Sequence, residues 1–120
     1  MSQNLATARA ALTEIQAAWN AAASHWNPDA LAANYTDDAL FFGGRPEHSV
    51  GGAAIRAYFA SYVGTLESAT LDLVEQHFLW LADDCFLAQG FGNFAFVLAE
   101  QRLSHARMRT TLVIARHESG

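Results

Sequence analysis

The chain has 120 residues, a formal net charge of −5, 52% hydrophobic residues and 16% charged residues. That length sets a single domain, 1–120, and the apolar content sets a folded core rather than a disordered chain. All seven basic residues are arginines, scattered except for Arg102, Arg107 and Arg109, which excludes a basic groove for nucleic acid.

The single cysteine, Cys85, cannot form an internal disulfide; it reads as a small apolar side chain on a strand and fits a reducing cytoplasm. The N-terminal MSQNLATARAALTEIQ lacks the order of a signal peptide, and no apolar run reaches the roughly 18 residues of a membrane span. A cytoplasmic protein with no membrane partner is expected. Eight phenylalanines and three tryptophans point to a large apolar interior or cavity.

In chain order, Leu5, Ala8, Leu12, Ile15, Trp19, Ala22 and Trp26 alternate in steps of four and three, which predicts a helix with one buried face. Asn27-Pro28-Asp29 restarts the chain, with Asn27 as N-cap and Pro28 at the first position of a short helix ending near Tyr35. Asp37-Asp38 reads as a turn and Ala39–Phe42 as a short strand. A loop, GGRPEHSV, follows, with Ser49 as a helix cap. Ile55, Tyr58, Phe59 and Tyr62 then mark a third helix, closed by Gly64. Three long strands complete the chain, at Leu66–Leu81, Phe86–Leu98 and Leu103–Arg116, joined by turns at 82–84 and near Glu100-Gln101. Helices first and strands afterwards predict an α+β domain, with the helices packed on one face of a curved antiparallel meander.

The chemistry-bearing residues are few. The four glycines flanking GGRPEHSVGG match neither phosphate-loop spacing and lack a lysine, so they read as the bend between strand and helix. His48 in this loop is the candidate for proton transfer, against the plainer reading of a surface histidine on a turn. His77 faces either a cavity or a partner subunit. The five histidines show no metal-ligand spacing, so neither a metal nor any other cofactor is expected. Arg109 either holds an acidic ligand or pairs with an acid such as Glu75.

The order of elements resembles the nuclear transport factor 2-like superfamily, which includes SnoaL-like and DUF4440-like domains, ketosteroid isomerases and the association domain of calcium/calmodulin-dependent protein kinase II. The carrying residues are Asn34-Tyr35-Thr36-Asp37-Asp38-Ala39, Gly52-Ala53-Ala54-Ile55-Arg56-Ala57-Tyr58-Phe59 and Arg109-Thr110-Thr111-Leu112-Val113. The resemblance implies a cone-shaped fold around an apolar cavity. It also implies a further strand after Glu118-Ser119-Gly120, expected here to be missing or truncated, leaving a bare sheet edge. Ketosteroid isomerases place a tyrosine donor, an aspartate base and a protonated aspartate at positions that fall here on Trp19, Gly43 and Thr111 or Leu112. All three groups are absent, which excludes that mode of catalysis.

Two functions follow from the resemblance. One is a site binding or transforming a small apolar or acidic molecule, with Trp19, Phe42, His48, Phe59, His77, Asn93 and Arg109 as candidate lining. The other is a non-catalytic association domain. Apolar residues on the outer sheet face make a homodimer the expected assembly.

Overall fold

Helix α1 (Leu5–Ala23) starts where the Asn4 side chain accepts the Thr7 backbone N–H at 2.8 Å. The computed structural model describes residues 4–116. Ala8, Leu12, Trp19 and Ala22 form the buried face that their spacing predicts, whereas Leu5 is half exposed. Asn27 caps α2 (Pro28–Ala32), accepting from the Ala30 N–H at 3.1 Å with Pro28 at the first position. This helix is shorter than expected. Asn34 and Tyr35 follow it in tight turns, their N–H groups reaching the carbonyls of Leu31 and Ala32.

The segment read as a loop contains a second strand. β1 (Leu40–Phe42) pairs with β2 (His48–Val50), Phe42 lying opposite His48. Ser49 is therefore a buried strand residue rather than a helix cap. The cap of α3 (Gly52–Ala60) is Gly51, whose φ of 89° suits glycine. Ser61 ends that helix, and Gly64 lies in the turn beyond it.

β3 (Leu66–Ala82), β4 (Cys85–Leu98) and β5 (Arg102–Ala115) form an antiparallel meander in the order β3-β4-β5, as expected. A single 3₁₀ turn, Ala99–Gln101, joins the last two, with Glu100 and Gln101 at positive φ. Residues 117–120, where the turn toward a further strand is expected, lie outside the described residues. Among the described residues β5 pairs with β4 alone, and the curved sheet is not closed.

Which face each strand residue takes follows from packing and register. Phe86 and Ala88 are buried against Ala8 and Leu12 of α1, and Phe94 meets Trp19 edge-on, so the even positions of β4 face the helices. Their cross-strand partners, including Leu71, Phe78, Trp80, Leu112 and Ile114, share that concave face. A bulge breaks the alternation in β3 between Val74 and His77, with Glu75 at φ 52°. Before it the inward residues are Leu71 and Leu73; after it they are Phe78 and Trp80. At the bulge the Gln76 amide nitrogen donates to the Val74 and Phe91 carbonyls at 3.1 Å and to the Thr110 hydroxyl at 3.3 Å, while its carbonyl oxygen is buried without a donor.

The core has two parts. The C-terminal half of α1 gathers Trp19, Ala22 and Ala23 with Trp26, Leu31, Ile55, Phe59, Leu66 and Ala69, and the N-terminal half packs Ala8 and Leu12 on Phe86 and Ala88. Two amides fasten α1 to β3. Asn20 accepts the Leu71 N–H at 2.7 Å and donates to the Leu71 carbonyl at 3.0 Å, and Gln16 accepts the Leu73 N–H at 2.7 Å. They satisfy backbone groups on a sheet edge that would otherwise lack partners. Asn20→Ala is expected to lower stability by about 1–2 kcal/mol, the cost of stranding half-buried backbone groups. Urea denaturation measures that loss, and accelerated exchange of the Leu71 amide localises it.

Candidate functional site

The residues singled out from the sequence fall in three separate places. Trp19 and Phe59 lie in the aromatic interior, linked through Trp26, whose ring centroid is 6.4 Å from Trp19 and 5.9 Å from Phe59. Phe42 and His48 stack on each other at 4.3 Å on the β1–β2 hairpin, where Phe42 is 75% exposed. His77, Asn93 and Arg109 are exposed on the sheet face turned away from the helices, opposite Gln89, Arg107 and Phe91 respectively. The chain brings the first two residues together and the second two together, and it does not join the three groups into one surface.

The ion pair weighed for Arg109 is made by its neighbour. Arg107 Nη2 lies 2.6 Å from Glu75 Oε2, its Nη1 donates to Asn93 Oδ1 at 3.4 Å, and its guanidinium sits 4.4 Å over the Phe91 ring. The pair is solvent-exposed, so it contributes less than about 1 kcal/mol.

The interior holds two phenols that the sequence reading passed over. Burial pushes the Tyr35 hydroxyl up to about 12, opposed by a hydrogen bond from the Trp19 side chain. The Tyr58 hydroxyl is also pushed up to about 12, first by burial and then by its hydrogen bond with Tyr62; the Gly44 N–H donated to it at 2.7 Å works in the other direction. Both phenols are neutral near pH 7 and act as hydrogen-bond donors or acceptors. Arg45 completes the loop side, its guanidinium 4.3 Å over the Tyr62 ring and its Nε donating to Ser61 Oγ at 2.9 Å.

The Tyr58 ring also explains Gly43. A Cβ at position 43 would fall among the Tyr58 ring atoms, so no carboxylate can project from that point while the tyrosine stays in place. Ser49 is the one polar residue among the described residues that is buried as a whole, and none of the carboxylates or imidazoles there is so buried. Among the described residues no group of three or more His, Cys, Asp or Glu is placed to hold a metal ion.

Open space lies on both sides of α1. Toward β3 a polar cleft of about 460 Å³ runs past Arg9, Thr13, Gln16, Asp72 and Gln76. Toward β4 and β5 a second cleft of about 420 Å³ has an apolar floor of Ile15, Trp80, Phe86 and Ile114. Ala11 and Ala18 line its helix wall, and Glu14, Asn34, Asp83, Asp84 and Arg116 also line it. Its volume falls within the range of small-molecule pockets, and six of its thirteen lining residues are polar or charged.

The sequence model of the SnoaL-like domain matches residues 12–120, nearly the whole chain. The chain belongs to the SnoaL-like domain family. The nuclear transport factor 2-like fold implied by the sequence motifs is the one that its helices and curved sheet adopt. Similar solved structures include a protein from Xanthomonas campestris described as a calcium/calmodulin-dependent protein kinase II association domain. It is 22% identical with a TM-score of 0.79, over 97% of this chain and 80% of that one. A protein from Novosphingobium aromaticivorans described as an aromatic ring hydroxylase is 21% identical with a TM-score of 0.81, over 98% and 85%. A ketosteroid isomerase-like protein from Erwinia carotovora atroseptica is 17% identical with a TM-score of 0.72, over 100% and 89%. These likenesses establish a shared fold, which hosts unrelated activities. A comparison with curated proteins found no match. No helix of the SnoaL-like domain, among the described residues, is long and apolar enough to cross a membrane.

Trp80, Phe86 and Ile114 line the cleft without having been singled out from the sequence as site residues. Phe86, Phe94 and Phe96 share a parity along β4, a signal that points to one face. Trp80 carries no such signal, because the bulge before it reverses the alternation.

Proposed function

We propose that this SnoaL-like domain binds a small, largely apolar molecule on the concave side of its sheet, in the cleft between α1 and the ends of β3, β4 and β5. The observation that carries the reading is the apolar floor of Trp80, Phe86, Ile15 and Ile114 in an open space of about 420 Å³. Similar folds described as an aromatic ring hydroxylase and a ketosteroid isomerase-like protein support a small-molecule role. His48, stacked on exposed Phe42, stands outside this cleft.

Ala18 lines the cleft from the exposed side of α1, so Ala18→Trp fills the space without entering the core. Isothermal titration with indole as probe is expected to show millimolar binding to the native chain and at least about a tenfold loss in the variant. Equal affinity for the two proteins would remove the cleft from consideration.

A second reading, homodimerisation, is supported by the outer sheet face. Leu79, Leu87 and Val113 are neighbours across all three strands there, and Leu79 and Val113 are 59% and 60% exposed, with Leu103 at 72% farther along β5. We propose this face as the contact between two copies, in a cytoplasmic setting supported by the unpaired Cys85. Light scattering at micromolar concentration is expected to give twice the 13.0 kDa chain mass, and Val113→Glu to halve it. A monomer in both cases contradicts the assembly and leaves the cleft reading intact.

A further inference from the structure

The groups around the apolar cleft are unequal in charge. Glu14 reaches it from α1, and Asp83 and Asp84 from the β3–β4 turn, against one guanidinium, Arg116. The remaining polar lining, Thr7 and Asn34, is neutral. Ion pairs join Arg56 with Asp29 and Arg107 with Glu75, and neither Glu14 nor Asp84 takes part in them. The tie between Arg116 and Asp84 is made by backbone, the Arg116 N–H donating to the Asp84 carbonyl at 2.8 Å. The net charge of −5 on the whole chain reinforces the local excess rather than opposing it.

The floor supplies the apolar seat: Trp80 packs against Phe86 with ring centroids 5.1 Å apart, and both line the open space. Arg109, the residue through which the sequence suggested an acidic ligand, is exposed on the opposite face of the sheet and cannot reach this cleft.

We infer that the cleft selects an amphipathic cation: an apolar ring seated on Trp80, Phe86 and Ile114, carrying an ammonium group toward Glu14 and Asp84. The inference rests on the reading of this cleft as the ligand site and adds the charge of its occupant. A carboxylate-bearing ligand of the same shape meets the like charges of Glu14 and Asp84 and gains one partner, Arg116.

Three indoles that differ in charge test it: tryptamine, neutral 3-methylindole and indole-3-propionate. Titrated into the native chain near pH 7, tryptamine is expected to bind about tenfold more tightly than the propionate, with the neutral compound between them. The preference should shrink at ionic strength near ~0.5 M, where the screening length falls well below that at physiological salt. Glu14→Gln and Asp84→Asn each remove one exposed carboxylate and should narrow the ratio of tryptamine to propionate affinity. Propionate binding as well as tryptamine, or a ratio unmoved by both salt and the two variants, overturns the charge assignment and leaves the cleft as a neutral apolar site. No binding by any of the three overturns the cleft reading and this inference with it.

Discussion

Trp19→Ala is expected to destabilise the domain by about 3–5 kcal/mol, the cost of emptying a large buried aromatic site. Trp19 is 8% exposed and meets Trp26 and Phe94 edge-on, at 6.4 Å and 5.8 Å between ring centroids. At about 4 °C per kcal/mol for a domain of this size, the melting temperature should fall by roughly 12–20 °C. Trp19→Phe keeps an aromatic ring and should lose clearly less. A loss under about 1 kcal/mol in Trp19→Ala would mean that the aromatic interior is not the packed core described above.

The second large effect concerns Gly90. A Cβ at this position would lie 2.5 Å from the Glu75 carbonyl oxygen, 2.9 Å from the Glu75 carbonyl carbon and 2.6 Å from the Gln76 amide nitrogen. Two of those atoms are backbone in the bulge and cannot rotate aside. Gly90→Ala therefore costs about 3 kcal/mol, the upper end of the range for an overfilled site, or it flattens the bulge. Gly92 is the control. Its added Cβ meets Leu71 Cδ1 at 3.0 Å and Thr110 Cγ2 at 3.1 Å, side-chain atoms that can move, so Gly92→Ala should cost about 1 kcal/mol. Chemical denaturation of the pair measures the difference. Equal costs would show that the bulge does not constrain position 90.

The bulge also links stability to the proposed site. Because two residues of β3 oppose one of β4, the strand changes parity and turns Phe78 and Trp80 toward α1. Without that step Leu79 would occupy the concave face, and the cleft would lose its indole floor. Gly90→Ala protein that still folds should therefore bind indole more weakly than the native chain.

Local signals were readable wherever backbone chemistry decides the outcome. The α1 stripe through Ala8, Leu12, Trp19 and Ala22, the Asn27 cap with Pro28, and the limits of the long strands to within about a residue or two all follow from spacing and capping. The hairpin partner β2 was not readable. Its three residues carry no alternation of their own, and His48 and Val50 are exposed around buried Ser49. The site was hidden for a different reason. His77, Asn93 and Arg109 are strand residues whose face depends on register, and for His77 the bulge at Glu75-Gln76 shifts that register without a glycine or proline at either position to mark it. The room the bulge occupies exists because position 90 on the neighbouring strand has no Cβ, a non-local fact. Tyr58 escaped notice similarly: its place beneath Gly43 depends on how the hairpin folds over α3.

The most direct test of the account is a map of where a small apolar ring binds. Titration of ¹⁵N-labelled protein with indole should shift the amides of Ala11, Ile15, Ala18, Trp80, Phe86 and Ile114 together, on one binding curve. Shifts confined to the outer-face amides around Leu79, Leu87 and Val113, or none at millimolar indole, would contradict a concave-side ligand site in this SnoaL-like domain.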